Sequence, residues 1–160
     1  MYRERGVTRS GQASGGKDRY LNEGTMLSGL NHITLAVRDL ERSLSFYVSL
    51  LGCTPRVRWT RGAYLSLGAL WLCLSVEESR PGDDSSHIAL SISADDFHDF
   101  AGRLDDSGII RWKPNRSEGD SLYILDPDGH KLEIHVGDLD TRLQHLREKP
   151  YQGLEWLPET

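Results

Sequence analysis

The segment His32-Ile33-Thr34-Leu35-Ala36-Val37 has a second version later in the chain, His87-Ile88-Ala89-Leu90-Ser91-Ile92. Both alternate with period two, the pattern of a half-buried strand. A helix signal follows each. In the first half Asp39 can cap a helix whose apolar stripe is Leu40, Leu44, Tyr47 and Leu51, with Gly52 as its stop. In the second half Ser93 can cap, with Asp96 three residues on; Phe97, Phe100, Ala101 and Leu104 form the stripe and Gly108 ends it. Three short strands follow each helix, at about 54–59, 63–67 and 70–75 in the first half and about 110–113, 121–125 and 131–135 in the second. Asp126-Pro127-Asp128-Gly129 is a strong turn signal between the last two. The order βαβββ therefore runs twice, over about 30–75 and 87–135, with a polar link at 77–86 and a short helix near 138–147. This predicts an α+β fold of paired βαβββ modules. One such module leaves an open sheet edge and an uncovered face. Two modules curving toward each other would enclose a cleft, and a dimer that exchanges modules reaches the same end.

Composition narrows the function classes. At 160 residues the chain is one domain's worth of material. The net charge of −5 argues against a general nucleic-acid binder, though not against a local basic pocket for a small anion. No apolar run approaches the ~20 residues of a membrane span, and the charged N-terminus has no apolar core of a secretory signal. Cys53 and Cys73 form neither a disulfide framework nor a zinc spacing, so two reduced thiols in a cytoplasmic protein are expected. Residues 1–25 are rich in Arg, Gly, Ser and Lys with almost no aliphatics, and read as a flexible extension before a domain over 26–157.

The duplication puts His32 and His87 at equivalent places in the two modules. Period two gives His32, Thr34 and Ala36 one face, and His87, Ala89 and Ser91 another. If the modules face each other, the two imidazoles converge. Glu133, between Leu132 and Ile134, points to the same side, and its counterpart in the first half is Cys73. A single strand histidine is usually a hydrogen-bonded core residue; two at equivalent positions with an inward Glu point instead to ligation. Two His and one Glu suit Mn²⁺, Fe²⁺ or Zn²⁺ and leave open positions, as catalysis requires. His98, His130, His135 and His145 lack this symmetry and read as helix-face, turn or surface residues, although His135 shares a strand face with Glu133.

Residues 112–123 offer cationic heads, hydroxyls and a glycine. By composition this is first a solvated hairpin loop. It could also hold a small dianion such as a phosphonate, with Lys113 as point charge, Ser117, Ser121 and Tyr123 as donors, and Arg142 adding a planar fork from the last helix.

Several stretches together resemble the FosA family of fosfomycin-modifying glutathione transferases, within the glyoxalase-like (vicinal oxygen chelate) superfamily. They are Asn31-His32-Ile33-Thr34-Leu35-Ala36-Val37, Gly62-Ala63-Tyr64-Leu65-Ser66, Leu70-Trp71-Leu72-Cys73-Leu74-Ser75, Asn115-Arg116-Ser117-Glu118-Gly119-Asp120-Ser121 and Leu125-Asp126-Pro127-Asp128-Gly129-His130-Lys131-Leu132-Glu133. The resemblance implies a domain-swapped homodimer with Mn²⁺ in each of two sites and K⁺ nearby, adding the glutathione thiol to the epoxide of fosfomycin. It implies that His32, from the other subunit, joins His87 and Glu133 on the metal. Thr34 would bond the released oxygen, and Lys113, Ser117, Ser121, Tyr123 and Arg142 would hold the phosphonate. Asn115, Ser117, Glu118, Gly119 and Ser121 would coordinate K⁺, and Tyr64, Trp71 and Cys73 would line the substrate or thiol side. Two departures stand out. Ser85 occupies a place where many relatives carry tyrosine, and Pro114 follows the cationic Lys113.

Rival readings remain. An epoxide hydrolase of the same family would carry a glutamate base near Thr60-Arg61-Gly62-Ala63, where this chain has Gly62 and no acid. A related Fe²⁺ dioxygenase leaves the loop from Lys113 to Tyr123 unexplained. A drug-sequestering protein of the same fold would generally lack the metal trio.

Overall fold

The computed structural model describes residues 27–116 and 118–157. The extension expected over 1–25, Met26 and Ser117 lie outside the described residues. One compact unit covers Leu30–Pro150; the described residues 27–29 and 151–157 fall outside it and carry no helix or strand.

Among the described residues eight strands and three α-helices form. In the first module β1 (His32–Val37) leads through α1 (Leu40–Leu44) to β2 (Thr54–Trp59), β3 (Gly62–Leu67) and β4 (Leu70–Val76). In the second β5 (Ile88–Ser91) leads through α2 (Ala94–Asp106) to β6 (Arg111–Lys113), β7 (Ser121–Leu125) and β8 (Lys131–His135), and α3 (Leu139–Glu148) follows. The sheets have the same plan, β1-β4-β3-β2 and β5-β8-β7-β6. In each, the first strand pairs parallel with the last and the rest pair antiparallel. The α+β fold of paired βαβββ modules is thus the observed one. No described helix is long and apolar enough to cross a membrane.

The expected caps are in place. Asp39 accepts from the Arg42 amide at 3.1 Å and Ser93 from the Asp96 amide at 3.1 Å. The first helix departs from the expected form. It is α-helical only to Leu44 and continues as a π-helix over Ser45–Leu50, with the Leu51 amide bonded to the Phe46 carbonyl. Two adjacent aromatics in this segment, Phe46 and Tyr47, both lie in the core, at 7% and 1% exposure. Gly52, at φ +79°, then turns the chain back toward β2.

One hydrophobic core draws on both modules, with Leu35, Leu65, Leu72 and Leu74 from the first and Leu104, Ile124, Leu132 and Ile134 from the second. The turn between β7 and β8 fastens the modules together. Its Asp128 accepts from the Arg38 amide at 3.2 Å, and the Pro127 carbonyl accepts from the Arg42 guanidinium at 2.6 Å. His130 Nε2 donates to the Ala36 carbonyl at 2.7 Å, so this histidine joins the modules rather than merely closing a turn. The Tyr47 hydroxyl donates to buried Asp126 at 2.8 Å. Burial, and next the Asp126 charge, push the Tyr47 phenol far above its ordinary range, so it remains a donor throughout the accessible pH range. Tyr47→Phe would strip one partner from a buried carboxylate. A loss of about 1–3 kcal/mol is expected, read as a lower midpoint in urea unfolding with unchanged slope.

Candidate active site

The two modules carry two different half-sites. On the first sheet, β1 pairs His32 with Trp71 and Thr34 with Cys73, and β3 pairs Tyr64 with Cys73. Paired residues share a sheet face, so His32, Thr34, Tyr64, Trp71 and Cys73 lie together on it. The face is open and aromatic. The His32 ring lies 4.5 Å from Trp71, Trp71 lies 5.1 Å from Tyr64, and Tyr64 lies 4.9 Å from Trp59. His32 Nδ1 faces the Asn31 side chain at 2.8 Å, which leaves Nε2 as its outward nitrogen.

On the second sheet, β8 pairs Ala89 with Glu133, and β7 pairs Tyr123 with Glu133 and Ser121 with His135. His87 Nε2 lies 2.8 Å from Glu133 Oε2, while His87 Nδ1 lies 2.7 Å from the Ser85 carbonyl. Both ring nitrogens thus face acceptors, with Nε2 in hydrogen-bond contact with the carboxylate. Ser85 contributes its carbonyl, which holds the imidazole in the orientation a metal ligand needs. Glu133 is buried, at 7% exposure. Burial raises its pKa, but hydrogen bonds from Ser121, Tyr123 and His87 outweigh it and hold the carboxyl below its usual range. An ionised, inward carboxylate on an oriented imidazole fits a divalent ion.

The register equivalence expected from the repeat is observed. Thr34 sits opposite Cys73 as Ala89 sits opposite Glu133. The convergence of His32 with His87 and Glu133 does not occur within one chain. Among the described residues no three His, Cys, Asp or Glu side chains come close enough to hold a metal ion. His32 lies on the first sheet, and His87 and Glu133 come together at the second.

Lys113 stands over the Tyr123 ring at 3.9 Å and the Trp112 ring at 4.8 Å. Strict alternation would send Trp112 and Lys113 to opposite faces. The register shifts between Arg111 and Lys113, a bulge, and both side chains meet Tyr123. Trp112 also lies 5.8 Å from His87, which makes it a site residue that sequence alternation missed. In the loop that follows, the Asn115 amide donates to the Gly119 carbonyl at 2.8 Å. Arg142 holds this loop from α3, donating to the Glu118 carbonyl at 3.2 Å and lying 3.6 Å from the Glu118 carboxylate. Ser121 is buried and donates to Glu133 Oε1 at 2.7 Å. His135, expected at the surface, is mostly enclosed, with Nδ1 2.7 Å from Ser121 Oγ. Its shared face with Glu133 was the signal that could have found it. A groove of about 790 Å³ elsewhere, lined by Arg42, Phe46, Leu50, Ile109 and Pro127, contains none of the expected site residues.

Residues 29–134 match the Glyoxalase/Bleomycin resistance protein/Dioxygenase superfamily. The glutathione transferase FosA of Serratia marcescens is 51% identical over 134 residues, covering 81% of this chain and 95% of that protein. The metallothiol transferase FosB of Staphylococcus haemolyticus (strain JCSC1435) is 38% identical over 136 residues, covering 80% of this chain and 98% of that protein. Among solved structures, the fosfomycin resistance protein FosX from Listeria monocytogenes, complexed with Mn(II) and sulfate ion, superposes with a TM-score of 0.69 at 31% identity, covering 75% of this chain and 98% of that one.

Proposed function

We propose that this chain, which belongs to the Glyoxalase/Bleomycin resistance protein/Dioxygenase superfamily, is a glutathione transferase that opens the epoxide of fosfomycin and so confers resistance to it. The observation that carries this reading is the face of the second sheet, where the His87–Glu133 pair lies beside Tyr123, over which Lys113 stands. A metal-ligand pair beside a cationic head is what a phosphonate-bearing epoxide demands.

His87 and Glu133, with His32 of a second copy in a homodimer, would hold Mn²⁺. The bound ion would act as a Lewis acid on the epoxide oxygen. Lys113, Ser117, Ser121, Tyr123 and Arg142 would fix the phosphonate, so that the carbon is presented to the incoming sulfur. The glutathione sulfur then bonds to that carbon, the carbon–oxygen bond breaks, and the thiol proton ends on the oxygen. Thr34 would donate a hydrogen bond to that oxygen as its charge develops. The aromatic face of Tyr64 and Trp71, with Cys73 beside them, would exclude water from the thiol's approach. The oxygen-bearing groups of Asn115, Ser117, Glu118, Gly119 and Ser121 would coordinate K⁺, placing a further positive charge near the phosphonate.

Water opening is disfavoured at Gly62. A Cβ there would come within 2.6 Å of the Leu74 carbonyl and would also strike the Trp59 ring, so this strand start has no room for the glutamate a hydrolase would place there. Gly62→Glu is expected to lower the melting temperature and yield no diol. Diol formation by a stable variant would show that the hairpin accepts a base.

The test of the function is adduct formation, followed by mass spectrometry with fosfomycin, glutathione, Mn²⁺ and K⁺. A glutathione–fosfomycin adduct that disappears with chelator or without thiol is the expected result. Diol formed without thiol would mean hydrolysis, and tight binding of unchanged drug would mean sequestration.

A further inference from the structure

His135 faces the site yet has no part in the chemistry above. β7 places Ser121 directly opposite it, and Glu133 lies two residues back on the same face of β8. Ser121 Oγ is 2.7 Å from Glu133 Oε1 and 2.7 Å from His135 Nδ1. A serine hydroxyl carries one hydrogen, and an ionised carboxylate only accepts. In the substrate-free protein the Ser121 hydrogen therefore goes to Glu133, and Ser121 in turn accepts from His135 Nδ1–H. The direct approach of Nδ1 to Glu133 Oε1, at 3.5 Å, is longer than either link through the serine. The same ring underlies the anion loop. Gly119, at φ +78°, lies so close that an added Cβ would be 3.3 Å from the imidazole Cε1 and 2.8 Å from the Val136 carbonyl.

We propose that His135 is a positioning residue whose Nδ1–H turns the Ser121 hydroxyl toward Glu133 and so ties the anion-binding loop to the metal carboxylate. The inference rests on the reading of Glu133 as a metal ligand. Without the imidazole donor, the Ser121 hydroxyl rotates freely and Glu133 loses a hydrogen bond that sets its orientation. Hydrogen bonds of this kind around a metal ligand typically control metal affinity by about 10–100-fold.

The experiment is a Mn²⁺ titration of the intact protein without substrates, followed by electron paramagnetic resonance. His135→Phe keeps a flat ring beneath the loop and removes the donor, whereas His135→Asn restores an N–H close to the Nδ1 position. His135→Phe is expected to raise the Mn²⁺ Kd about tenfold and His135→Asn to return it to within about threefold of wild type. Ser121→Ala added to His135→Phe is expected to have no further effect, because both cut one link. Wild-type affinity in His135→Phe, equal weakening in Phe and Asn variants, or additive effects of the Ser121 and His135 changes would each overturn the proposal. A wild-type protein that binds no Mn²⁺ overturns the metal reading and this inference with it. A wild-type protein that binds Mn²⁺ but forms no adduct overturns only the assigned reaction.

Discussion

Co-expressing His32→Ala subunits with His87→Ala subunits is expected to restore about a quarter of wild-type adduct formation from two proteins that are each inactive alone. The expectation follows from the separation of the half-sites. His87 and Glu133 are in contact on the second sheet, whereas His32 lies against Trp71 on the first. In a mixed dimer that exchanges modules, one site receives both substitutions and the other receives neither. Random assortment makes about half the dimers mixed, each with one intact site. Two affinity tags allow the mixed dimer to be isolated and assayed directly. An inactive mixed dimer would show that His32 does not complete the site of the other copy.

Glu133→Gln is expected to weaken Mn²⁺ binding by about 100-fold and to slow adduct formation by about 10³-fold, or about 4 kcal/mol of barrier. The amide keeps the shape of the side chain and removes its charge. It also presents an NH₂ group where Ser121 and His87 now find carboxylate oxygens. A Mn²⁺ titration beside the adduct assay separates metal loss from catalytic loss, and circular dichroism melting checks the fold. Unchanged Mn²⁺ affinity would remove Glu133 from the ligand set.

Much of the architecture is legible in the sequence because alternation, caps and turns are local signals. The stretches 54–59, 121–125 and 131–135 are strands with the expected limits, and Asp39 and Ser93 are the helix caps. Three features depend on distant partners and are not legible in this way. The π-helix at Ser45–Leu50, where Phe46 and Tyr47 are both in the core, has no signature in the apolar spacing. The bulge in β6 brings Trp112 and Lys113 to one face, against simple alternation. The repeat correctly makes His32 and His87 equivalent, but equivalence under a duplication does not fix which copy of a module each one faces. His135 was visible on the face of Glu133, yet its role depends on Ser121 lying opposite it across the strand pair.

The register that sets Thr34 opposite Cys73 and Ala89 opposite Glu133 has a consequence for how a duplicated module becomes a working site. A faithful copy would carry an acid at both positions, and two His with two carboxylates would surround the ion symmetrically. A thiol at position 73 breaks that symmetry on one side, and hard divalent ions favour carboxylate oxygen over sulfur. With His87, Glu133 and His32 as the proposed ligands, that replacement would leave room at the ion for a substrate oxygen. On the proposed function, the difference between two otherwise matching strands would give the site a front and a back, and with them a defined direction for attack on a small chiral epoxide.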